Sequence, residues 1–147
     1  MFIIVLYLSN LALTKNIYTD YEKGNISVID DGGLPGSGVG PHTIEFWFNI
    51  NLEEKYVNDA KLVLQVDDIN YPDELDTITF IEPDGTAHNL GLLKTSTNSK
   101  TIVYISINPR WIKTGINMVR VEIGSGWTAF IEDSTMEIKY TIWENIE

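Results

Sequence analysis

The chain contains no cysteine and few basic residues: ten Lys and Arg stand against 21 Asp and Glu among 147 residues. The missing cysteines exclude disulfides, thiol nucleophiles and cysteine-ligated zinc. The formal net charge of −11 repels phosphate backbones, so the composition excludes nucleic acid as a direct partner. Cysteine-free chains occur in reducing and in oxidising compartments alike, so the localisation stays unknown at this point.

The sequence also lacks an apolar run long enough to span a bilayer. The N-terminal run Phe2–Leu13 is interrupted by Ser9 and Asn10, and it is shorter than the roughly 20 residues that a membrane helix needs. It has no basic start and no small-x-small cleavage site, and therefore no convincing signal peptide. We predict that residues 1–14 form an apolar strand. This strand packs within its own sandwich, or residues 2–13 dock on another chain and build a homo-oligomer or a larger assembly.

Alanine is scarce and β-branched residues are abundant: four Ala against 20 Ile, nine Val and 13 Thr. β-branched side chains lose rotamer freedom in helices and pack well on pleated sheets. Apolar and polar residues alternate with a period of two in six segments, which are Thr43–Ile50, Lys61–Val66, Thr77–Ile81, Thr101–Ile107, Asn117–Ile123 and Met136–Trp143. Residues 1–147 are therefore predicted to be one all-β domain, a two-sheet antiparallel jelly-roll sandwich of seven or eight strands.

Catalytic constellations are missing from the sequence. Its two histidines, His42 and His88, are far apart and next to turn residues, which predicts surface loops. There is no Gly-x-Ser-x-Gly elbow. The glycine-rich segment 32–40 lacks the Lys-Ser/Thr of a phosphate-binding loop, so we predict a flexible surface loop. The chain is accordingly predicted not to be an enzyme.

The densest charge is the segment Asp67–Asp76, which holds five carboxylates and Asn70 between two predicted strands. Loop oxygens are the ligands that Ca²⁺ prefers, although the spacing is not that of an EF-hand. Glu132-Asp133, before the last strand, forms a second acidic spot. The residues predicted as ligands of a structural Ca²⁺ are Asp67, Asp68, Asp73, Asp76 and Asp133. The alternative is a solvated loop whose Asp side chains accept hydrogen bonds from the backbone.

Four aromatic residues occupy the positions opposite the predicted core rows: Trp47, Tyr104, Phe130 and Trp143. Exposed rings can stack on sugars or contact a protein, and we predict these four as ligand-binding residues. The alternative is that loops or the N-terminal strand cover them.

The linear order of turn and core motifs resembles the galactose-binding-like β-sandwich, which occurs in carbohydrate-binding modules and in the sugar-binding domains of family 2 glycoside hydrolases. The motifs that carry the resemblance are Val66-Asp67-Asp68-Ile69, Glu74-x-Asp76, Asp84-Gly85, Leu90-Gly91, Trp111-Ile112-Lys113-x-Gly115-x-Asn117 and Trp127-x-x-Phe130-Ile131-x-Asp133. It covers residues 42 to 143. It implies a jelly roll with a structural Ca²⁺ near Asp133, and it transfers no glycan-contacting residue.

Two functions follow from these observations. The first is a noncatalytic carbohydrate-binding or adhesion module at a cell or particle surface. The second is a structural subunit of a surface assembly, such as a virion decoration protein or a filament component. Both imply an extracellular or particle-surface location, with a glycan or a protein as partner.

Overall fold

The computed structural model describes residues 13–29, 43–67, 75–94, 100–122 and 130–145. These residues form nine strands and one short 3-10 helix, Pro109–Trp111. The strands are β1 Leu13–Lys23, β2 Asn25–Ile29, β3 Thr43–Ile50, β4 Tyr56–Asp67, β5 Thr77–Ile81, β6 Ala87–Leu92, β7 Thr101–Ile107, β8 Gly115–Glu122 and β9 Phe130–Asn145. No helix in the described part of the chain is long and apolar enough to cross a membrane.

The strands form two sheets, and every pair of neighbours is antiparallel. The four-stranded sheet has the order β1-β9-β4-β7, and the five-stranded sheet has the order β2-β3-β8-β5-β6. The predicted two-sheet antiparallel all-β sandwich is thereby confirmed. The described residues contain one or two strands more than the seven or eight expected. The six alternating segments correspond to β3, β4, β5, β7, β8 and β9, and β1, β2 and β6 were not among them.

The core lies between the sheets and consists of the alternating apolar residues that the sequence predicted. Phe46, Phe48, Leu62, Leu64 and Phe80 are completely buried. Their neighbours on each strand point to the opposite side, as the pleat of a strand requires. Burial of these side chains is the main stabilising term of the fold.

Gly24 marks the point at which the chain passes from one sheet to the other. It separates β1, in the four-stranded sheet, from β2, in the five-stranded sheet. Its N–H donates to the carbonyl of Ser134 at 2.9 Å, which ties the crossing to β9. A Cβ at this position would lie 2.2 Å from Ser134 Oγ and 2.9 Å from Phe48 Cε1. A side chain at this crossing would therefore force Ser134 or Phe48 to move.

The turn before β8 explains one motif of the resemblance. Buried Asn117 accepts a hydrogen bond from Lys113 N–H at 3.1 Å and donates to the carbonyls of Lys113, at 2.7 Å, and Gly115, at 3.1 Å. Gly115 has a φ of 114°, a conformation that L side chains rarely adopt. The Lys-x-Gly-x-Asn pattern is thus a structural turn in this chain.

A polar cluster joins β1 to β9 and to the turn before β4. Lys55 Nζ lies 2.8 Å from Asp20 Oδ2, and the Tyr140 hydroxyl donates to Asp20 Oδ1 at 3.2 Å. Lys55 Nζ also lies 4.5 Å from the centroid of the Tyr140 ring. The hydrogen bond to Asp20 raises the pKa of Lys55, and burial raises the pKa of Tyr140. The cluster secures the edge strand β1, whose own inward side chains are mostly polar.

Candidate functional site

The outer face of the four-stranded sheet is the most distinctive surface of the described residues. We define this outer face by the described side chains that point away from the core on its four strands. They are Lys15, Ile17, Thr19, Tyr21 and Lys23 on β1; Thr135, Glu137, Lys139, Thr141 and Trp143 on β9; Tyr56, Asn58, Asp59, Lys61, Val63 and Gln65 on β4; and Ile102, Tyr104 and Ser106 on β7.

Large exposed apolar side chains concentrate on this outer face. Nine such residues occur in the described part of the chain, and six belong to the outer face: Ile17, Tyr21, Tyr56, Ile102, Tyr104 and Trp143. Tyr104 is 65% exposed and Trp143 is 56% exposed. Single exposed apolar residues are ordinary, but a concentration on one side of a molecule marks an interaction surface.

The charge of the outer face is opposite to that of the chain. It carries four lysines, Lys15, Lys23, Lys61 and Lys139, against the two carboxylates Asp59 and Glu137. The described side chains of this face thus sum to +2, and the other described side chains, with nine acidic and six basic residues, sum to −3. A basic, aromatic surface on an acidic protein attracts acidic surfaces and repels others like itself.

A groove at one end of the outer face contains Trp143. Its volume is about 230 Å³, and its walls are Lys15, Tyr56, Asn58, Thr141 and Trp143. Thr141 is buried, and its Oγ1 accepts a hydrogen bond from Asn58 Nδ2 at 2.8 Å. Tyr56 pairs with Thr141 across the strands, and Trp143 follows two residues later on the same side of β9. We call this site the Trp143 groove; it combines two rings with an ammonium, an amide and a hydroxyl group.

A second groove lies near the opposite end of the outer face. It measures about 170 Å³ and is lined by Val63, Gln65, Ile102 and Thr135. Tyr104 is on β7, as Ile102 is. It pairs with Val63 on β4, which in turn pairs with Thr135 on β9. Because Trp143 is eight residues further along β9, about 3.3 Å per residue places these rows roughly 27 Å apart. Tyr104 and Trp143 therefore belong to one face but not to one small-ligand site.

The three predicted aromatic residues whose side chains are described do not converge. Trp47 is on β3 of the five-stranded sheet, opposite Met118, and is half-buried on the other side of the sandwich. Only the backbone of Phe130 is described, paired with that of Asp67. Tyr104 and Trp143 share the outer face, at opposite ends.

The predicted calcium ligands are only partly described. Asp68 and Asp73 lie outside the described residues, and of Asp67 and Asp133 only the backbone positions are described, at the same end of β4 and β9. Asp76 is completely buried, and its carbonyl accepts a hydrogen bond from Leu93 N–H at 2.8 Å. The described side chains contain no group of three acidic or histidine residues placed to hold a metal. Calcium binding stays a prediction from the sequence.

His88 is not the surface-loop residue that we expected. It is on β6, its ring stacks on Trp111 with centroids 3.9 Å apart, and its Nε2 lies 2.7 Å from Glu82 Oε1. The stack continues to Phe80, which is buried in the core. His88 and Trp111 thus close the edge of the core. His42, the apolar segment of residues 1–12 and the glycine-rich segment 32–40 lie outside the described residues.

Sequence reasoning missed several residues of the outer face. Ile17 and Tyr21 were not recognised because the inward positions of β1 are Asn16, Tyr18, Asp20 and Glu22 rather than an apolar row. Tyr56 was missed because β4 begins five residues before the predicted strand at Lys61. The alternation of β4 can be extended backwards in the sequence as far as Asp59. The register shift between Val57 and Asp59 interrupts the alternation before Tyr56 is reached.

No protein-family model matches the chain, and no curated protein matches it. Among solved structures, the infectious bursal disease virus VP2 subviral particle is similar over 87% of this chain and 32% of that chain, with 18% identity and a TM-score of 0.35. The structure from the Gx strain of the same virus is 17% identical over 88% of this chain and 32% of that chain, with a TM-score of 0.36.

This chain spans about a third of the length of those viral chains. At these identities and TM-scores, the similarity carries no argument about function. The resemblance to galactose-binding-like domains is established only as far as the architecture, since no family model supports it. The chain is a two-sheet antiparallel all-β sandwich.

Proposed function

We propose that the chain is a noncatalytic structural subunit that assembles with further copies of itself through the outer face of its four-stranded sheet. The observation that carries this proposal is the concentration there of six large exposed apolar side chains. Tyr and Trp, which make up four of the six, are enriched in protein interfaces because they bury much area at a small entropic cost.

The charge of the outer face supports a second copy as the partner. The described side chains of the face sum to +2 and the other described side chains sum to −3, so the two sets are opposite in sign. Electrostatic complementarity of this kind favours encounter and fixes which surfaces meet. An assembly subunit of this type belongs at a particle or filament surface, where it contacts its neighbours with no chemical step.

A pair of isoleucines tests the proposal. Ile102 on the outer face is 54% exposed, and Ile116 on β8 of the other sheet is 57% exposed. We expect Ile102→Ser to raise the dissociation constant of self-association about tenfold, because it removes apolar area from the contact. Sedimentation velocity over concentrations of roughly 10–200 µM measures this constant.

The control for this experiment is Ile116→Ser, which makes the same chemical change at nearly the same exposure on the other sheet. It should leave the dissociation constant within about twofold of the wild-type value. A wild-type chain that stays monomeric over the whole range, or equal effects of the two substitutions, would contradict the proposal.

A carbohydrate-binding function is the second candidate, and the Trp143 groove favours it. Rings stack on the apolar faces of sugars, while the ammonium of Lys15 and the amide oxygen of Asn58 are suited to hydrogen bonds with hydroxyls. At about 230 Å³ the groove is smaller than a drug-sized ligand pocket, so it suits the end of a glycan rather than a long chain.

The two tryptophans provide a matched test of glycan binding. On a glycan array, Trp143→Ala should weaken binding at least about tenfold, because it removes one wall of the groove. Trp47→Ala should preserve binding, since Trp47 is on the opposite side of the sandwich. Melting curves of both variants confirm that they are folded. No binding by the wild-type chain, or equal losses in both variants, would rule out this groove as a glycan site.

A further inference from the structure

We propose that two copies join edge to edge through β7, so that their four-stranded sheets form one continuous antiparallel sheet. This inference rests on the proposed assembly function and names the strand through which a second copy binds. The outer face as a whole does not specify this geometry, because its apolar side chains lie on all four strands. The outward side chains of β1, β9 and β4 stay available for further contacts.

β7 is an edge strand without the features that usually protect an edge. It ends the four-stranded sheet, and no described strand pairs with its free edge, the side away from β4. Its sequence, TIVYISI, contains no charged residue, no proline and no glycine. Its seven residues pair with β4 in a regular register, from Ile107 with Ala60 to Thr101 with Val66, without a bulge. An unprotected edge of this kind presents a row of N–H and C=O groups to which another strand can pair.

The other described edge strands differ from β7. β1 carries two lysines, an aspartate and a glutamate. β6 contains a bulge opposite Ile78 and Thr79, next to Gly91 with its φ of 97°. β2 has only five residues, against seven in β7. Charges, bulges and short length are the devices by which edge strands avoid pairing with other chains. β7 is thus the longest edge strand without a charge in the described part of the molecule.

The core side of β7 is incompletely covered. Val103 and Ile105 pack against the core but are only partly buried. Their pairing partners on β4, Leu64 and Leu62, are completely buried. The difference arises because β4 has a neighbouring strand on each side, whereas β7 has one on one side only. A further strand at the free edge would cover the two apolar side chains, and burial of apolar area favours the contact.

A second β7 is suited to this free edge. In the antiparallel register that pairs all seven residues, Tyr104 lies opposite Tyr104 of the other copy. On the core side, Val103 of each copy lies opposite Ile105 of the other. On the outer face, Ile102 lies opposite Ser106. Aromatic and β-branched pairs across strands stabilise a sheet, and a contact of one strand with itself is the isologous contact of a two-fold dimer.

Charge does not oppose this pairing. β7 has no charged side chain, and Lys100, directly before it, comes level with Asn108 of the other copy. On the segment of β4 that pairs with β7, the charged residue is Lys61, opposite Ser106. Three strand spacings across the sheet and four residues along it place the two Lys61 side chains roughly 20 Å apart. This separation exceeds the Debye length of about 8 Å at physiological ionic strength, so their repulsion is screened.

The absence of cysteine makes the pairing testable by cross-linking. Opposite Cα atoms of antiparallel strands lie about 4.5–5.5 Å apart, within the range of about 4.4–6.8 Å that a disulfide spans. After oxidation with diamide, Tyr104→Cys should form disulfide-linked dimers at least about tenfold faster than Ile116→Cys, the control on the other sheet. The two positions are 65% and 57% exposed, so both thiols are open to the oxidant. Non-reducing electrophoresis measures the dimers, and melting curves confirm that both variants are folded.

A mixture of two variants tests the register. In the proposed dimer, the two copies of Ile102 are roughly 13 Å apart along the strands, which is too far for a disulfide, and so are the two copies of Ser106. Ile102→Cys and Ser106→Cys should therefore cross-link to each other in an equal mixture and only slowly when each is alone. Mass spectrometry distinguishes the mixed dimers from the two kinds of homodimer.

The wild-type chain gives a readout that needs no substitution. Pairing supplies carbonyl partners to the N–H groups on the free edge of β7, so their hydrogen exchange should slow as protein concentration rises. A contact through the outer face alone buries side chains and leaves these N–H groups exposed. The amides of β6, the edge strand of the other sheet, are the internal control and should exchange at a constant rate.

The outcomes separate this inference from the proposed function. A wild-type chain that stays monomeric overturns both. Association without slower exchange in β7, in which Tyr104→Cys cross-links no faster than Ile116→Cys, overturns only the edge pairing and leaves the outer face as the contact. Homodimers of Ile102→Cys that form as fast as mixed dimers would also overturn it, because they would indicate that two outer faces meet.

Discussion

We expect Gly24→Ala to lower the free energy of unfolding by about 3 kcal/mol, the upper end of the range for overpacked cores. The added methyl group would lie 2.2 Å from Ser134 Oγ and 2.9 Å from Phe48 Cε1, and both side chains are completely buried. Because Ser134 is buried on β9 and Phe48 is buried on β3, the methyl group displaces a packed side chain and not solvent. For a chain of this size the melting temperature should fall by roughly 6–12 °C.

Gly85→Ala is the control that separates the effect of steric crowding from the effect of backbone conformation. Gly85 has a φ of 90°, which L residues rarely adopt, but a Cβ there would have nothing within 4 Å. Strain at the turn should cost about 1–2 kcal/mol. Denaturant titration should therefore rank Gly24→Ala as the more damaging change. If Gly24→Ala melts within about two degrees of the wild type, the close packing at the sheet crossing is wrong.

The second large effect is expected from Arg120→Met. Glu45 is on the outer side of β3 but is only 5% exposed, and its Oε1 lies 2.7 Å from Arg120 Nη2 and 2.8 Å from Arg120 Nε. Removing the guanidinium leaves a carboxylate that is buried without its cation. Breaking such a buried pair costs about 3–5 kcal/mol, and since Arg120 itself is partly exposed we expect about 3 kcal/mol.

Two further variants show whether the loss of stability arises from the unpaired carboxylate of Glu45. In the double variant Glu45→Leu, Arg120→Met no buried charge remains, so most of the stability should return. Lys139→Met breaks the exposed pair with Glu137, whose atoms are 3.8 Å apart, and should cost less than about 0.5 kcal/mol. A double variant no more stable than Arg120→Met alone would show that the guanidinium contributes by packing rather than by charge.

The pair of Glu45 and Arg120 bears on the proposed function because it lies on the opposite side of the molecule from the outer face. Glu45 and Arg120 are on the five-stranded sheet, while the outer face belongs to the four-stranded sheet. Variants of this pair should therefore change melting temperature without changing self-association of the folded chain. Ile102→Ser should show the reverse, a weaker association at an almost unchanged melting temperature.

The core could be predicted from the sequence because the period of two is a local property of an extended chain. Phe46, Phe48 and Phe80 were assigned to the core from alternation alone, and all three are completely buried. β1 could not be found in this way. Its inward residues Asn16, Tyr18, Asp20 and Glu22 are polar or aromatic, and it is stabilised by pairing with β9 and by the contact of Asp20 with Lys55, which is distant in sequence.

The candidate site was predictable only in part, for the same reason. Alternation correctly indicated that Trp47, Tyr104 and Trp143 point away from the core. It contains no information about which sheet a strand joins, so it could not show that Trp47 is on one side of the sandwich and Trp143 on the other. The lysines of the outer face were unremarkable in sequence, because successive ones are 8, 38 and 78 positions apart.

The β-branched alternation thus determined, without any coordinates, an all-β domain with an apolar core. The absence of affinity for phosphate backbones stays a prediction from the excess of acid. Those conclusions depend on composition and on neighbouring residues, which a sequence displays directly. The basic, aromatic outer face was decided by tertiary structure alone, because it is assembled from four strands whose order in the sheet is not their order in the chain. Strand pairing between distant segments places its lysines together on a protein that is otherwise strongly acidic.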